Sequence, residues 1–101
     1  IYVDSKAQKT DGYQLSKALL LNEKAEFNAK PELEIYADDV KCSHGSASGS
    51  LDEDSIFYLM SRGLDQKTAK ELLINGFLLD VIEKITDEEI KKLLKNMIGL
   101  N

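Results

Sequence analysis

The spacing of apolar residues changes near residue 50, and that change requires a chain built from two differently organised halves. Before it, apolar residues come in short runs: Ile1-Tyr2-Val3, Tyr13 to Leu21, Ala25 to Ala29, Leu33 to Ala37 and Val40 to His44. Asp-Gly, Asn-Glu-Lys, Lys-Pro and Asp-Asp separate them, which are turn signals between strands. Within Leu33, Ile35 and Ala37 the alternation has period two, with Glu34 and Tyr36 on the other face, as in a half-buried strand. Many very short strands with polar corners suit a parallel β-helix, whose coils stack strand on strand, and they suit an antiparallel sandwich equally well. No clean internal repeat separates the two, although about two coils fit into such a length.

After the small-residue segment Gly45 to Ser50, read as a flexible corner, the period becomes helical. Asp52 is an N-cap for a helix carrying Ile56, Leu59 and Met60 on one face, with Gly63 as a left-handed stop after Arg62. Asp65 caps a second helix through Ala69, Leu72 and Leu73, with Gly76 as the next stop. Phe77 to Ile85 forms a third apolar segment that either stands alone or continues the second helix through a kink at Gly76. Thr86-Asp87-Glu88-Glu89 reads as a capping box, with acids where the helix dipole favours them and Lys91, Lys92 and Lys95 further along. Ile90, Leu93, Leu94 and Met97 are the apolar face of that last helix and are expected in the core. The division is therefore 1–50 for the strand-rich part and 51–101 for a helical subdomain.

At 101 residues the chain is one domain or part of one, and its core is modest. It begins at Ile1, inside a strand-like run with no initiator Met, and reads as an excised piece of a longer protein. Net charge is −5, with acids in excess in both halves. No basic stripe is present, so nucleic acid and anionic membrane are poor partners. No apolar run approaches the length of a membrane span, and a single cysteine rules out an internal disulfide, which suits a reducing cytoplasm or organelle stroma.

That cysteine, Cys42, stands two residues from the only histidine, His44. On an extended backbone the two side chains leave the same face about 6.6 Å apart, so a thiolate and an imidazole can converge on one metal or cluster. A packed Cys beside a hydrogen-bonded His is the plain structural alternative. A free-standing thiol-dependent enzyme using Cys42 as nucleophile and His44 as base is the other. Two positions on one strand give poor geometry for that proton transfer, and neither an orienting third group nor an oxyanion site can be named. Gly45 to Ser50 lacks the Lys-Ser/Thr ending of a phosphate-binding loop. Asp38-Asp39 and Asp87 to Glu89 are explained by turn chemistry and helix-dipole complementation, without a metal.

Ala7-Gln8-Lys9-Thr10-Asp11, Leu19-Leu20-Leu21, Lys30 to Ile35, Ala37 to Gly45, and Phe57-Tyr58-Leu59 followed by Ser61-Arg62-Gly63 occur in one order over more than half the chain. In these blocks the sequence resembles the C-terminal region of the SufB/SufD family of iron-sulfur cluster assembly scaffolds. Cys42-Ser43-His44-Gly45, where SufB resembles a His-Glu-Ala pattern, places the likeness on the SufD side. The resemblance implies the terminal coils of a right-handed parallel β-helix over 1–50, followed by the small helical subdomain. It implies a non-catalytic, cytoplasmic scaffold component. Cys42 and His44 would contribute to a transient cluster or iron site shared with SufB across the interface, with no cluster stably held by this piece alone. It further implies that the helical part, from Phe57 through Gly63 into the Asp65 to Phe77 helix, docks the SufC ATPase. A β-helix cut open at Ile1 would leave unpaired strands, so self-association is also expected.

Overall fold

A computed structural model of the chain describes residues 1–100. By internal contacts it divides into Ile1–Ser50 and Leu51–Asn101. In the first unit β1 (Tyr2–Val3) pairs with β3 (Glu34–Ile35), and β2 (Asp11–Leu20) pairs with β4 (Lys41–Ser50), both in parallel. The corners between strands also stack. Asp39 N–H donates to the Gln8 side-chain oxygen at 2.9 Å, 31 residues away in sequence, and Lys41 N–H donates to the Thr10 carbonyl at 2.9 Å. Lys9, with φ of 65°, turns the first corner. The small core of this unit includes Val3, 2% exposed, and Ala37. Tyr2 and Tyr36 remain exposed and meet in a tilted contact, with centroids 5.6 Å apart and ring planes at 51°.

Two sequence expectations fail here. Ala25 to Ala29 is not a strand. Its residues instead run beside the β2–β4 pair, where Phe27 to Pro31 line a cavity of about 210 Å³ with Gln14, Ser16, Gly45 and Ser46. Gly45 to Ser50 is not a flexible corner but the second half of β4, paired residue for residue with Leu15 to Leu20. Serine and glycine have low strand propensity by themselves, and the ladder offered by the neighbouring strand overrides it. Gly45 also makes room for a neighbour. A Cβ there would stand 2.7 Å from the Tyr13 hydroxyl, so the Tyr13 side chain crosses onto the glycine.

The second unit holds α1 (Glu53–Ser61), α2 (Gln66–Ile82) and α3 (Glu88–Met97). Asp52 caps α1, accepting from Asp54 N–H and from the Ser55 hydroxyl at 2.6 Å; Asp65 caps α2, accepting from Thr68 N–H at 2.8 Å. The Ser55 hydroxyl and then Asp54 N–H hold the Asp52 carboxyl below its ordinary 3.8, and Thr68 does the same for Asp65. Groups lowered in this way support the fold above the unfolded value and lose that support as pH falls through the folded one, so both helix starts weaken in acid. Gly63, with φ of 101°, ends α1 as expected: Gly63 N–H donates to the Met60 carbonyl and Leu64 N–H to the Leu59 carbonyl.

Gly76 is not a stop. It lies inside α2, so Gln66–Ile82 is one helix and Phe77 to Ile82 is its continuation. No atom stands within 4 Å of where its Cβ would be. Gly76→Ala therefore raises stability by about 0.5–1 kcal/mol, because alanine has less backbone freedom to lose. An upward shift of the urea midpoint followed by far-UV circular dichroism checks this; no shift or a downward one refutes it.

The cap of α3 is Asp87, not Thr86, and its carboxylate accepts from both Glu89 and Ile90 N–H. The helix is also rolled away from the expected orientation. Ile90, Leu93 and Met97 are 48%, 58% and 73% exposed, whereas the Lys91 side chain is only 15% exposed. Ion pairs accompany this orientation. Glu83, just after α2, pairs with Lys95 at 2.5 Å and Lys91 at 3.6 Å, and Lys91 also reaches Glu88 at 2.9 Å. Lys95 chiefly holds the Glu83 carboxyl below its usual range, and Glu88 chiefly holds Lys91 above its own. The helix meets its neighbour through the Leu94, Lys91 and Lys95 side, and most of its apolar stripe faces outward.

Candidate functional site

β4 places the two residues that the sequence singles out. Strand alternation sends Cys42 and His44 to one face, together with Ser46, Ser48 and Ser50. Lys41, Ser43, Gly45, Ala47 and Gly49 take the other. The parallel register then fixes their neighbours on β2: Cys42 stands beside Gly12, His44 beside Gln14 and Ser46 beside Ser16. Cys42 is half-buried and His44 exposed; β4 pairs only with β2, and its far edge is unpaired among the described residues.

Gly12 contributes no side chain, and the Cys42 sulfur leans toward it. A Cβ built at Gly12 would lie 3.8 Å from Sγ. Glycine opposite the thiol leaves Cys42 with little steric cover from β2. The donor set is one soft sulfur and one imidazole nitrogen, which suits iron, zinc or an iron-sulfur cluster better than a hard cation. Among the described residues, no group of three or more His, Cys, Asp or Glu side chains is placed to hold a metal ion. The acidic pairs have other work: Asp39 takes part in corner stacking through its backbone, and Asp87 is a helix cap. Sequence reasoning missed Gly12 and Gln14 as neighbours of the pair. Their only sequence signal is that Asp11-Gly12-Tyr13-Gln14 runs in step with Lys41-Cys42-Ser43-His44, which becomes visible once the register is known.

The model of the SufBD core domain, described as SUF system iron-sulfur cluster assembly, matches residues 1–77. The chain belongs to the SufBD family. Within that family it is similar to the iron-sulfur cluster assembly protein SufD of Escherichia coli, with 46% identity over 99 residues covering 98% of this chain and 23% of that protein. Against the SufD of Bacillus subtilis identity is 38% over 96 residues, covering 95% of this chain and 22% of that protein. The chloroplastic protein ABCI7 of Arabidopsis thaliana is 46% identical over 98 residues, covering 97% of this chain and 21% of that protein. The chain thus spans less than a quarter of the length of these SufBD relatives. It is of the SufD type, as Cys42-Ser43-His44-Gly45 indicated. These alignments run well past residue 77, so the likeness extends into α3, beyond the Gly63 limit of the sequence blocks. No helix among the described residues is long and apolar enough to cross a membrane.

Proposed function

We propose that this SufD-type chain is a non-catalytic part of a SUF assembly scaffold, with Cys42 and His44 contributing to a cluster or iron site completed by SufB. The observation that carries this reading is the placing of both donors on one face of β4, whose far edge is open. A cluster being assembled is cargo and must be released, so a ligand set divided between two proteins favours transfer over retention. The parallel pairing of β1 with β3 and of β2 with β4 supports taking this unit as the terminal coils of a right-handed parallel β-helix.

The helical unit is the docking surface for the SufC ATPase. Its support is the exposed apolar surface of α1 and α2: Phe57 is 74% exposed, Tyr58 and Leu72 are also open, and the last two line a groove of about 420 Å³ between the helices. Isolated apolar residues are ordinary on a protein surface, but a group bordering a groove marks an interaction site.

A direct test uses the two-ligand limit. An iron-sulfur cluster takes about four ligands from protein, and this chain offers Cys42 and His44. Anaerobic reconstitution of the chain with iron and sulfide, followed by desalting, is expected to leave no stable visible absorbance. A cluster retained through the desalting step would refute the shared-site reading.

A further inference from the structure

Gly76 sits in α2 where the fold makes no demand for glycine. Its backbone is helical, unlike the left-handed Gly63 and Gly99, and no atom stands within 4 Å of where its Cβ would be. What glycine changes is the chemistry of the residue before it. Asn75 is the one asparagine of the chain followed by glycine, whereas Asn22, Asn28 and Asn96 precede the bulkier Glu23, Ala29 and Met97. We propose that Asn75-Gly76 is a spontaneous deamidation site guarded by α2, so that opening of the helix is recorded there as an irreversible covalent change. This goes beyond the assembly role and does not depend on it.

The reaction is an attack of the Gly76 backbone nitrogen on Cγ, the side-chain carbonyl carbon of Asn75. A bond from that nitrogen to Cγ forms, its proton is given up, and the side-chain nitrogen leaves as ammonia. Water then opens the cyclic imide at either carbonyl to give aspartate or isoaspartate, so one water enters, one ammonia leaves and nothing is oxidised or reduced. Glycine favours the attack because no Cβ stands beside the nitrogen. The helix opposes it. Within Gln66–Ile82 the Gly76 N–H is committed to the Leu72 carbonyl, and helical dihedrals at Asn75 turn the nitrogen away from ring closure. Side-chain cover is not the guard, since Gly76 is exposed and Asn75 only half-buried. Protection therefore lasts as long as the helix does, and glycine itself weakens α2 at this point. Isoaspartate adds a carbon to the main chain and interrupts the helical ladder, so α2, whose Leu72 and Leu73 line the groove against α1, cannot re-form in full.

Peptide mapping by mass spectrometry follows the reaction in the whole chain, because exchange of the amide NH2 for OH raises the mass of the tryptic peptide Glu71–Lys84. In mildly alkaline buffer, Asn75 of the folded chain is expected to deamidate at least about tenfold more slowly than in the chain unfolded by guanidinium chloride, since a reaction that needs the open form follows its population. Leu72→Pro should approach the unfolded rate without denaturant. In the unfolded chain, Gly76→Ala should slow Asn75 by about tenfold, to the rate of Asn28 before Ala29, because the added methyl hinders the nitrogen. Equal rates in folded and unfolded wild type, or no acceleration in a Leu72→Pro chain whose circular dichroism shows lost helix, would overturn the guard. An Asn75 that reacts no faster than Asn28 in the unfolded wild type would overturn the site. The isoaspartate form, separated and returned to native buffer, should show less helix by circular dichroism than unmodified chain treated alike; equal helicity would overturn the irreversible record.

Discussion

Replacing Cys42 by Ser or His44 by Ala in the complete SUF assembly is expected to lower cluster formation by about tenfold or more, since losing even a residue that only supports a ligand costs that much. Folding should be untouched. His44 is exposed and Cys42 half-buried at the end of a two-strand ladder, so neither substitution empties a core cavity. Circular dichroism and ATPase pull-down serve as controls and should match the wild type. The double variant separates the alternatives: a shared site predicts a loss close to that of the stronger single variant, because the two donors serve one cargo. Full assembly activity in the double variant would return Cys42 and His44 to a packing role. Serine in place of Cys42 keeps size and hydrogen bonding while removing the thiolate, so a loss in that variant is a loss of ligand chemistry.

Breaking α2 should abolish ATPase docking. Leu72→Pro places a proline in the middle of Gln66–Ile82, where it removes the bond from residue 72 to the carbonyl of residue 68 and costs about 3 kcal/mol or more. A helical unit of this size has only about 3–8 kcal/mol in total. Its core is thin: Ile56, Ala69 and Ile82 are its buried apolar residues among those described, so the groove between α1 and α2 is lost with the helix. Because melting and loss of a contact give the same result in that variant, a second substitution distinguishes them. Phe57→Asp changes a ring that is 74% exposed and leaves the caps of α1 intact, so helicity should persist. If Phe57 is a hot spot for SufC, affinity falls by at least about thirtyfold, near 2 kcal/mol. Unchanged pull-down of the ATPase by Leu72→Pro would end the docking proposal. Unchanged affinity in Phe57→Asp alone would move the contact away from α1 toward Leu72 and α3.

The exposed stripe on α3 bears on that second outcome. Its likeness to the relatives extends through residues that the sequence blocks did not reach, and Ile90, Leu93 and Met97 face outward. The ion pairs from Glu83 to Lys91 and Lys95 join α3 to the end of α2, and they weaken as acid protonates Glu83 or as salt screens the partly exposed charges.

Local chemistry was legible in the sequence, and long-range pairing was not. Asp52 and Asp65 were identified as caps, and Gly63 as the left-handed stop, because a cap is a contact between residues two to five apart and its donors and acceptors are all present in a short window. The closeness of Cys42 to His44 was likewise visible, since strand alternation alone puts i and i+2 on one face. Three other features needed the tertiary structure. Gly45 to Ser50 became strand because Leu15 to Leu20 offer it a ladder, which no property of serine or glycine announces. Gly76 stayed within α2 because a single glycine costs a helix only about 1 kcal/mol, less than packing on both sides restores. Most of the α3 stripe faces outward while Lys91 and Lys95 pair with Glu83, an arrangement that hydrophobic periodicity does not count. The sequence by itself determined where strands give way to helices and which two donors stand together. Only the tertiary structure decided that Gly12 and Gln14 are their neighbours, because register joins residues that are 30 or more positions apart and depends on how every intervening corner folds.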